Sequence, residues 1–273
     1  MNADPLAPFV APRAVNTSAF SESEIAQYAR DGYAISRGLA PVATVARMRE
    51  VASLHLAEGR PPVEYEADTQ YPGAPASLDA PGGRTARRLL QAYARDAVFR
   101  EWALSPLIAS RLRQILDPRV ALSQAHHNCI MTKAPAYSSV TRWHRDIRYW
   151  SFEKPELVSV WLALGEENSR NGCLLLLPGS HRMEFRPEQL DAAQFLRDDI
   201  DENRGLLRTQ IAAELHAGDV LFFHCRLFHA AGNNQTADIK LSVVHSYHAA
   251  DNHPLPGTRS AALPDVPLSE GVM

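Results

Sequence analysis

Residues 217–229 read Ala217-Gly218-Asp219-Val220-Leu221-Phe222-Phe223-His224-Cys225-Arg226-Leu227-Phe228-His229. Glycine and aspartate make a turn, and the apolar run behind it is strand-length and ends on a histidine. It is one of a series. From Val120 onward, short apolar or alternating runs fall at 120–132, 142–150, 157–164, 173–177, 206–211, 219–228 and 238–248, separated by Pro, Gly, Asn and Asp. Many short strands punctuated by turn residues are the pattern of an all-β barrel or sandwich. The charged stretch 184–204 reads as a surface excursion with a helix.

Toward the N-terminus the pattern changes to helices. Ser21 to Glu24 is a capping box, in which hydroxyl and carboxylate satisfy each other's free amides. The helix behind it carries Ile25, Tyr28 and Ala29 on one face and ends near Gly32. Tyr33 to Leu39 reads as a short strand, and Pro41 opens a second helix through Val45, Met48, Ala52 and Leu56. Residues 59–84 hold Pro61, Pro62, Pro72, Pro75 and Pro81, so no single regular element fits, and loops this long are commonly functional. Arg84–Arg95 and Ala97–Leu116 read as helices stopped by Pro118. The expectation is one domain over 1–273: a mainly helical cover with a lid loop (1–119), a β-core (120–250) and a tail (251–273).

Composition excludes several classes. With 28 Lys plus Arg against 31 Asp plus Glu, the net charge of −3 argues against a nucleic-acid binder, which would show a basic excess. No apolar run approaches the roughly 18 residues of a membrane span, so no membrane partner is expected. Met1 to Phe20 holds Pro5, Pro8 and Pro12 and no basic stretch ahead of an apolar core, unlike a secretory signal. Cys129, Cys173 and Cys225 are odd in number, far apart and set in apolar runs. They read as reduced, buried thiols of a cytoplasmic protein. No C-x-x-C is present, which removes thiolate zinc sites. Ten of the 11 histidines lie within 126–253; only His55 stands outside.

Among them, Trp143-His144-Arg145-Asp146 sets an imidazole and a carboxylate two residues apart, on one face if the segment is a strand. Such a pair suits a borderline divalent metal. Chance in a chain with 11 histidines and 31 acids supplies about one His-x-acid pair, so the pair alone decides little. His229, closing the strand quoted first, adds a third ligand. Two histidines and one carboxylate with open positions are the facial triad of non-haem iron(II) oxygenases. Enzymes of that kind commonly take 2-oxoglutarate and dioxygen on the open positions. Lys240, eleven residues past His229, is placed for the cosubstrate's distal carboxylate, and Ser242 shares its face.

These segments resemble the phytanoyl-CoA dioxygenase family of Fe(II)/2-oxoglutarate oxygenases. The resemblance runs from Tyr28-Ala29-Arg30-Asp31-Gly32-Tyr33 through Trp143-His144-Arg145-Asp146 and Asn171-Gly172-Cys173-Leu174…Pro178-Gly179-Ser180-His181. It continues into Gly218-Asp219…His229 and the Lys240 strand, and so covers most of the chain. It implies a double-stranded β-helix, a cupin-like jelly-roll barrel mainly of β-structure with helices packed on one sheet. It also implies iron ligands at His144, Asp146 and His229, with Fe(II), 2-oxoglutarate and O2 as the reacting set. By the same resemblance Lys240 stands where the family usually has arginine, Trp161 lies beside the cosubstrate and Arg88 is a basic residue reaching it. Lysine keeps the charge of arginine but loses its bidentate fork. Ala231 stands where many members have a hydroxyl, and the retained Asp146 argues against a halogenase.

Arg148 and Trp150 continue the His144/Asp146 face and are candidates for the substrate side, with plain packing as the alternative. Arg226 suits a substrate anion or a surface acid. His126, His127, His181 and His224 read as structural or rim histidines, and His245 as packed against the helical layer. The function expected is hydroxylation of an unactivated C–H of a small molecule, releasing succinate and CO2. A zinc hydrolase on the same three ligands and a non-catalytic cupin-like binding protein remain as rivals.

Overall fold

The computed structural model describes residues 19–69 and 71–269. The N-terminal stretch read against a secretory signal therefore lies, but for its last two residues, outside the described residues. Six α-helices are described: α1 (Glu22–Asp31), α2 (Val42–Ala57), α3 (Ala92–Arg95), α4 (Ala97–Ala103), α5 (Pro106–Ile115) and α6 (Asp201–Leu207). The strands are β1 (Tyr33–Ser36), β2 (Val63–Tyr65), β3 (Ala86–Leu90), β4 (Val120–Lys133), β5 (Thr141–His144) and β6 (Leu157–Ala163). They continue with β7 (Leu174–Leu176), β8 (Ile211–Ala212), β9 (Val220–His224), β10 (His229–Ala231), β11 (Lys240–Ala249) and β12 (Val266–Pro267).

The strands form two open antiparallel sheets rather than a closed barrel. The larger runs β1-β9-β6-β11-β4-β3-β2 with β12 on β4, and the smaller runs β5-β10-β7-β8. Neighbours in space are distant in sequence, as in a jelly roll. Alternation divides the large sheet into two faces. Leu122, Ile130, Val158, Val160, Val243 and Tyr247 point to α2, α4 and α5 and share one core with Met48, Phe99, Trp102 and Leu112. Cys129, Trp161, Leu221, Phe223 and Val244 point the other way, toward Leu174 and Leu176 of the small sheet. The site lies in this second layer, between the sheets.

The chain-start motifs act as latches. Ser21 and Glu24 form the capping box, and Gly32 closes α1 in the left-handed region (φ 81°), its N–H donating to Tyr28 O. A Cβ at Gly32 would lie 2.5 Å from His181 Nδ1, so only glycine admits that ring. The Pro178-Gly179-Ser180-His181 turn is tied back through Gly179 N to Asp31 O (2.8 Å). Asp219 of the first-quoted motif accepts from Gly38 N and His216 N and pairs with Arg37, which fixes β9 beside β1.

Several expectations from the sequence fail, among them a single helix over Ala97–Leu116, which Leu104 and Ser105 divide into α4 and α5. Arg84–Arg95 is not one helix: Ala86–Leu90 is strand β3, paired with β2 and β4, and only Ala92–Arg95 is helical. Its Ala, Arg and Leu are good helix formers, but tertiary pairing with the open ladder of β4 overrides that preference. Residues 206–211 are not a strand but the end of α6, a turn and the start of β8. The loop 59–84 is interrupted by β2 and a 3-10 turn at Glu66–Asp68.

Candidate active site

His144 ends β5, and His229 begins β10 directly opposite it in register. Their ring centroids are 4.3 Å apart. Asp146 does not share a strand face with His144, because β5 stops at His144 and Asp146 opens a 3-10 turn, Asp146–Tyr149. The turn, not the pleat, swings the carboxylate beside the imidazoles. One ligand atom from each of His144, Asp146 and His229 lies within 4.8 Å of the others, and all three residues are buried.

Each ligand is oriented by a partner on its far side. His144 Nδ1 contacts Arg142 O at 2.8 Å and His229 Nδ1 contacts Leu227 O at 3.0 Å. A ring that donates Nδ1–H to a carbonyl keeps its lone pair on Nε2, and both Nε2 atoms face Asp146 Oδ1, at 3.9 and 3.5 Å. Asp146 Oδ2 accepts from Ser159 Oγ (2.9 Å) and lies 3.3 Å from His127 Nδ1. Asp146 Oδ1 is buried and has no hydrogen-bond partner. An ionised oxygen so placed is costly unless a cation fills the gap. The donor set therefore fits a divalent metal. Burial alone drives the Asp146 carboxyl toward its neutral form, but His127, His229 and His144 together outweigh it and hold its pKa below the usual carboxylate range. Burial, then the His229 ring, pushes His144 well below the ordinary histidine value, keeping the imidazole neutral as a ligand must be.

Two cavities meet at the site. A small one of about 60 Å³ is walled by His144, His229, Trp161, Lys133, Lys240 and Arg87, among others. A larger cleft of about 620 Å³ is lined by His126, His127, Arg142, Arg148, Trp150 and Phe195, among others. Tyr71, Arg88, His127 and Tyr149 line both. The loop 59–84 reaches the cleft through Tyr71, whose hydroxyl is 3.0 Å from that of Tyr149.

Of the cosubstrate candidates, Lys240, Ser242 and Trp161 do converge, but on a residue that sequence reasoning missed. Glu167, fully buried, accepts from Lys240 Nζ (3.0 Å), Ser242 Oγ (2.6 Å) and Trp161 Nε1 (3.0 Å). Arg88 borders both cavities and pairs with Glu64 at 3.1 Å. Arg148 stacks on Phe195 (3.9 Å) and Tyr149, and one of its terminal nitrogens is buried without a partner. Trp150 lies against His126 and His127 on the cleft wall. Arg226 lines neither cavity. It follows the end of β9 in a turn that points outward, and it pairs with Glu184 at 2.8 Å, the surface-acid alternative.

His127 is the second residue missed. β4 carries a wide bulge: Ser246 pairs with Ser123 while His245 pairs with Asn128, so Gln124–His127 leave the ladder. That bulge delivers His127 to Asp146. Among the other histidines, His126 is bonded to Ser260 Oγ and His224 to Glu156. His245 is fully buried, on the helix-side alternation of β11 with Val243 and Tyr247.

A jelly roll holding two histidines and a carboxylate, with open space on both sides, defines a non-haem iron oxygenase. A family model, phytanoyl-CoA dioxygenase (PhyH), matches residues 28–242, and the chain belongs to that family of iron- and 2-oxoglutarate-dependent dioxygenases. A probable phytanoyl-CoA dioxygenase of Caenorhabditis elegans is 22% identical over 231 residues, 81% of this chain and 72% of that protein. The peroxisomal phytanoyl-CoA dioxygenase of Homo sapiens is 25% identical over 175 residues, 60% of this chain and half of the human one. The crystal structure of EctD from S. alaskensis with 2-oxoglutarate and 5-hydroxyectoine superposes with a TM-score of 0.72 at 20% identity, covering 93% of this chain and 85% of that one.

Proposed function

We propose that the protein is an Fe(II)- and 2-oxoglutarate-dependent dioxygenase that hydroxylates an unactivated C–H of a small molecule seated in the 620 Å³ cleft. The observation that carries it is the buried, partnerless Asp146 Oδ1 facing two bare imidazole nitrogens. His144, Asp146 and His229 would hold the iron, and iron with 2-oxoglutarate supplies the activation of dioxygen. The chain's own part is geometric. Ser159 and His127 hold Asp146, the carbonyls of Arg142 and Leu227 fix both rings, and the apolar second core keeps water from the metal's inner side. Trp161 and Ser242 shape the cosubstrate cavity through Glu167, and Arg88 stands at its mouth.

The unpartnered guanidinium nitrogen of Arg148 favours a substrate with an anionic or carbonyl group beside Trp150. Relatives named phytanoyl-CoA dioxygenase and ectoine dioxygenase support a small-molecule substrate. Cys129, Cys173 and Cys225 are buried free thiols, which supports a reducing compartment such as the cytoplasm. Among the described residues no helix is long and apolar enough to cross a membrane.

Adding Fe(II) and then 2-oxoglutarate to the protein without oxygen should produce a visible charge-transfer absorption, and oxygen should then release succinate. His144→Ala should lose both. Persistence of both signals in that variant overturns the assignment, and zinc-supported hydrolysis without succinate would favour the hydrolase.

A further inference from the structure

Four cations line the small cavity: Arg87, Arg88, Lys133 and Lys240. Three carry a carboxylate of their own. Arg87 contacts Glu66 (3.4 Å), Arg88 contacts Glu64 (3.1 Å), and Lys240 contacts Glu167 (3.0 Å). Lys133 is the exception among the described residues lining the cavity. Its Nζ donates to a neutral acceptor, Ser139 O at 2.9 Å, and it forms no ion pair. It stands on β4 directly opposite Lys240 on β11, and both residues are buried. The turn at Asn171-Gly172 makes room for it: a Cβ at Gly172 would lie 2.8 Å from Lys133 Cδ and 2.6 Å from Gly232 O.

A carboxylate arriving at the far end of this cavity meets Lys240 with its charge already offset by Glu167. Glu167 is held by three donors and has its backbone bonded to Leu215 in both directions, so it is not free to swing away. We propose that Lys133, rather than Lys240, supplies the positive charge that binds the distal carboxylate of the cosubstrate. Glu167 reduces Lys240 to an uncharged-pair hydrogen-bond donor beside it. This rests on the reading of the cavity as a 2-oxoglutarate site. The electrostatics agree: burial, then Lys240 and Arg87, pushes the Lys133 ammonium down to about 7, with Glu66 the acid opposing them. The groups facing it are Arg87 from β3, Lys240 from β11, Ser139 from the loop before β5 and Gly172 from the turn before β7. An incoming carboxylate would restore its proton.

The test titrates the Fe(II)-loaded, oxygen-free protein with 2-oxoglutarate and with 2-oxopentanoate, which replaces the distal carboxylate by a methyl group, and reads dissociation constants from the visible absorption. Lys133→Met should weaken 2-oxoglutarate by roughly 10- to 100-fold, the range of a charge-assisted hydrogen bond, and leave 2-oxopentanoate within about threefold. The double variant Lys240→Met/Glu167→Gln, which leaves no bare carboxylate beside the oxo acid, should cost 2-oxoglutarate roughly fivefold or less, and Glu167→Gln alone should tighten it by freeing the Lys240 charge. A second measurement needs no variant. In the wild-type protein the preference for 2-oxoglutarate over 2-oxopentanoate should decline as pH rises above about 7, by up to about tenfold per unit, because a proton must then be taken up on binding. The proposal is overturned if that double variant erases the preference while Lys133→Met and rising pH leave it intact. If the wild-type protein binds neither oxo acid, the 2-oxoglutarate reading of the site itself falls.

Discussion

Ser159→Ala tests how the carboxylate ligand is held. Ser159 Oγ donates to Asp146 Oδ2 at 2.9 Å, both groups are fully buried, and His127 at 3.3 Å is the other contact on that oxygen. Removing the hydroxyl leaves Oδ1 free for metal but lets the carboxyl rotate about a single remaining partner. Outer partners of this kind contribute roughly 10- to 100-fold in metal affinity, or about 1.4–2.7 kcal/mol. The metal-free protein is affected too. A hydrogen bond to a buried charge contributes about 1.5–3 kcal/mol, and about 2–4 °C of Tm accompanies each kcal/mol in a chain approaching this size. Calorimetric titration with Co(II), a spectroscopic stand-in for iron, should therefore give a Kd at least about tenfold weaker, and the metal-free Tm should fall by roughly 3–12 °C. An unchanged Kd together with a lowered Tm would refute the orienting role, since it would mean that the hydroxyl serves only the fold.

Two further expectations concern stability. Burial pushes His245 and His126 down to about 3, so below about pH 6.5 the unfolded chain takes up protons that the folded one refuses, and stability falls with pH. At pH 5 each costs about 2 kcal/mol relative to pH 7; His245→Phe should flatten the Tm-against-pH slope by its share, and an unaltered slope would contradict the buried-neutral assignment. Gly32→Ala should cost roughly 2–4 kcal/mol in denaturant unfolding, from the left-handed backbone and the 2.5 Å approach to His181, while Co(II) affinity stays within about twofold.

The triad was legible because its signals are local. A histidine and an aspartate two apart, and a histidine closing a turn-and-strand motif, survive without knowledge of pairing. The route by which Asp146 reaches its partners was not, because a 3-10 turn and a strand are alike in a four-residue window. His127 depends on a bulge defined only by the partner strand β11, so alternation along β4 misassigns it. Glu167 lies in a stretch whose glycine, asparagines and acids read as a solvated turn. Its burial comes from pairing with Leu215, far along the chain. Arg84–Arg95 reads as a helix, whereas Arg87 and Arg88 are consecutive on strand β3 and both border the small cavity, Arg87 bonded to Ser139 and Thr141 and Arg88 paired with Glu64. Helix and strand differ there by tertiary pairing alone.

The four side chains shared by the two cavities, Tyr71, Arg88, His127 and Tyr149, impose a sequence of events. The small chamber communicates with the cleft through them, and a molecule filling the cleft lies across that passage. With an oxo acid in the small chamber and its co-reactant in the cleft, as proposed above, the oxo acid must be seated first and its succinate remnant leaves after the oxidised product. Turnover in such a vessel is first in, last out, a kinetic order written into the arrangement of a neck rather than into any single affinity.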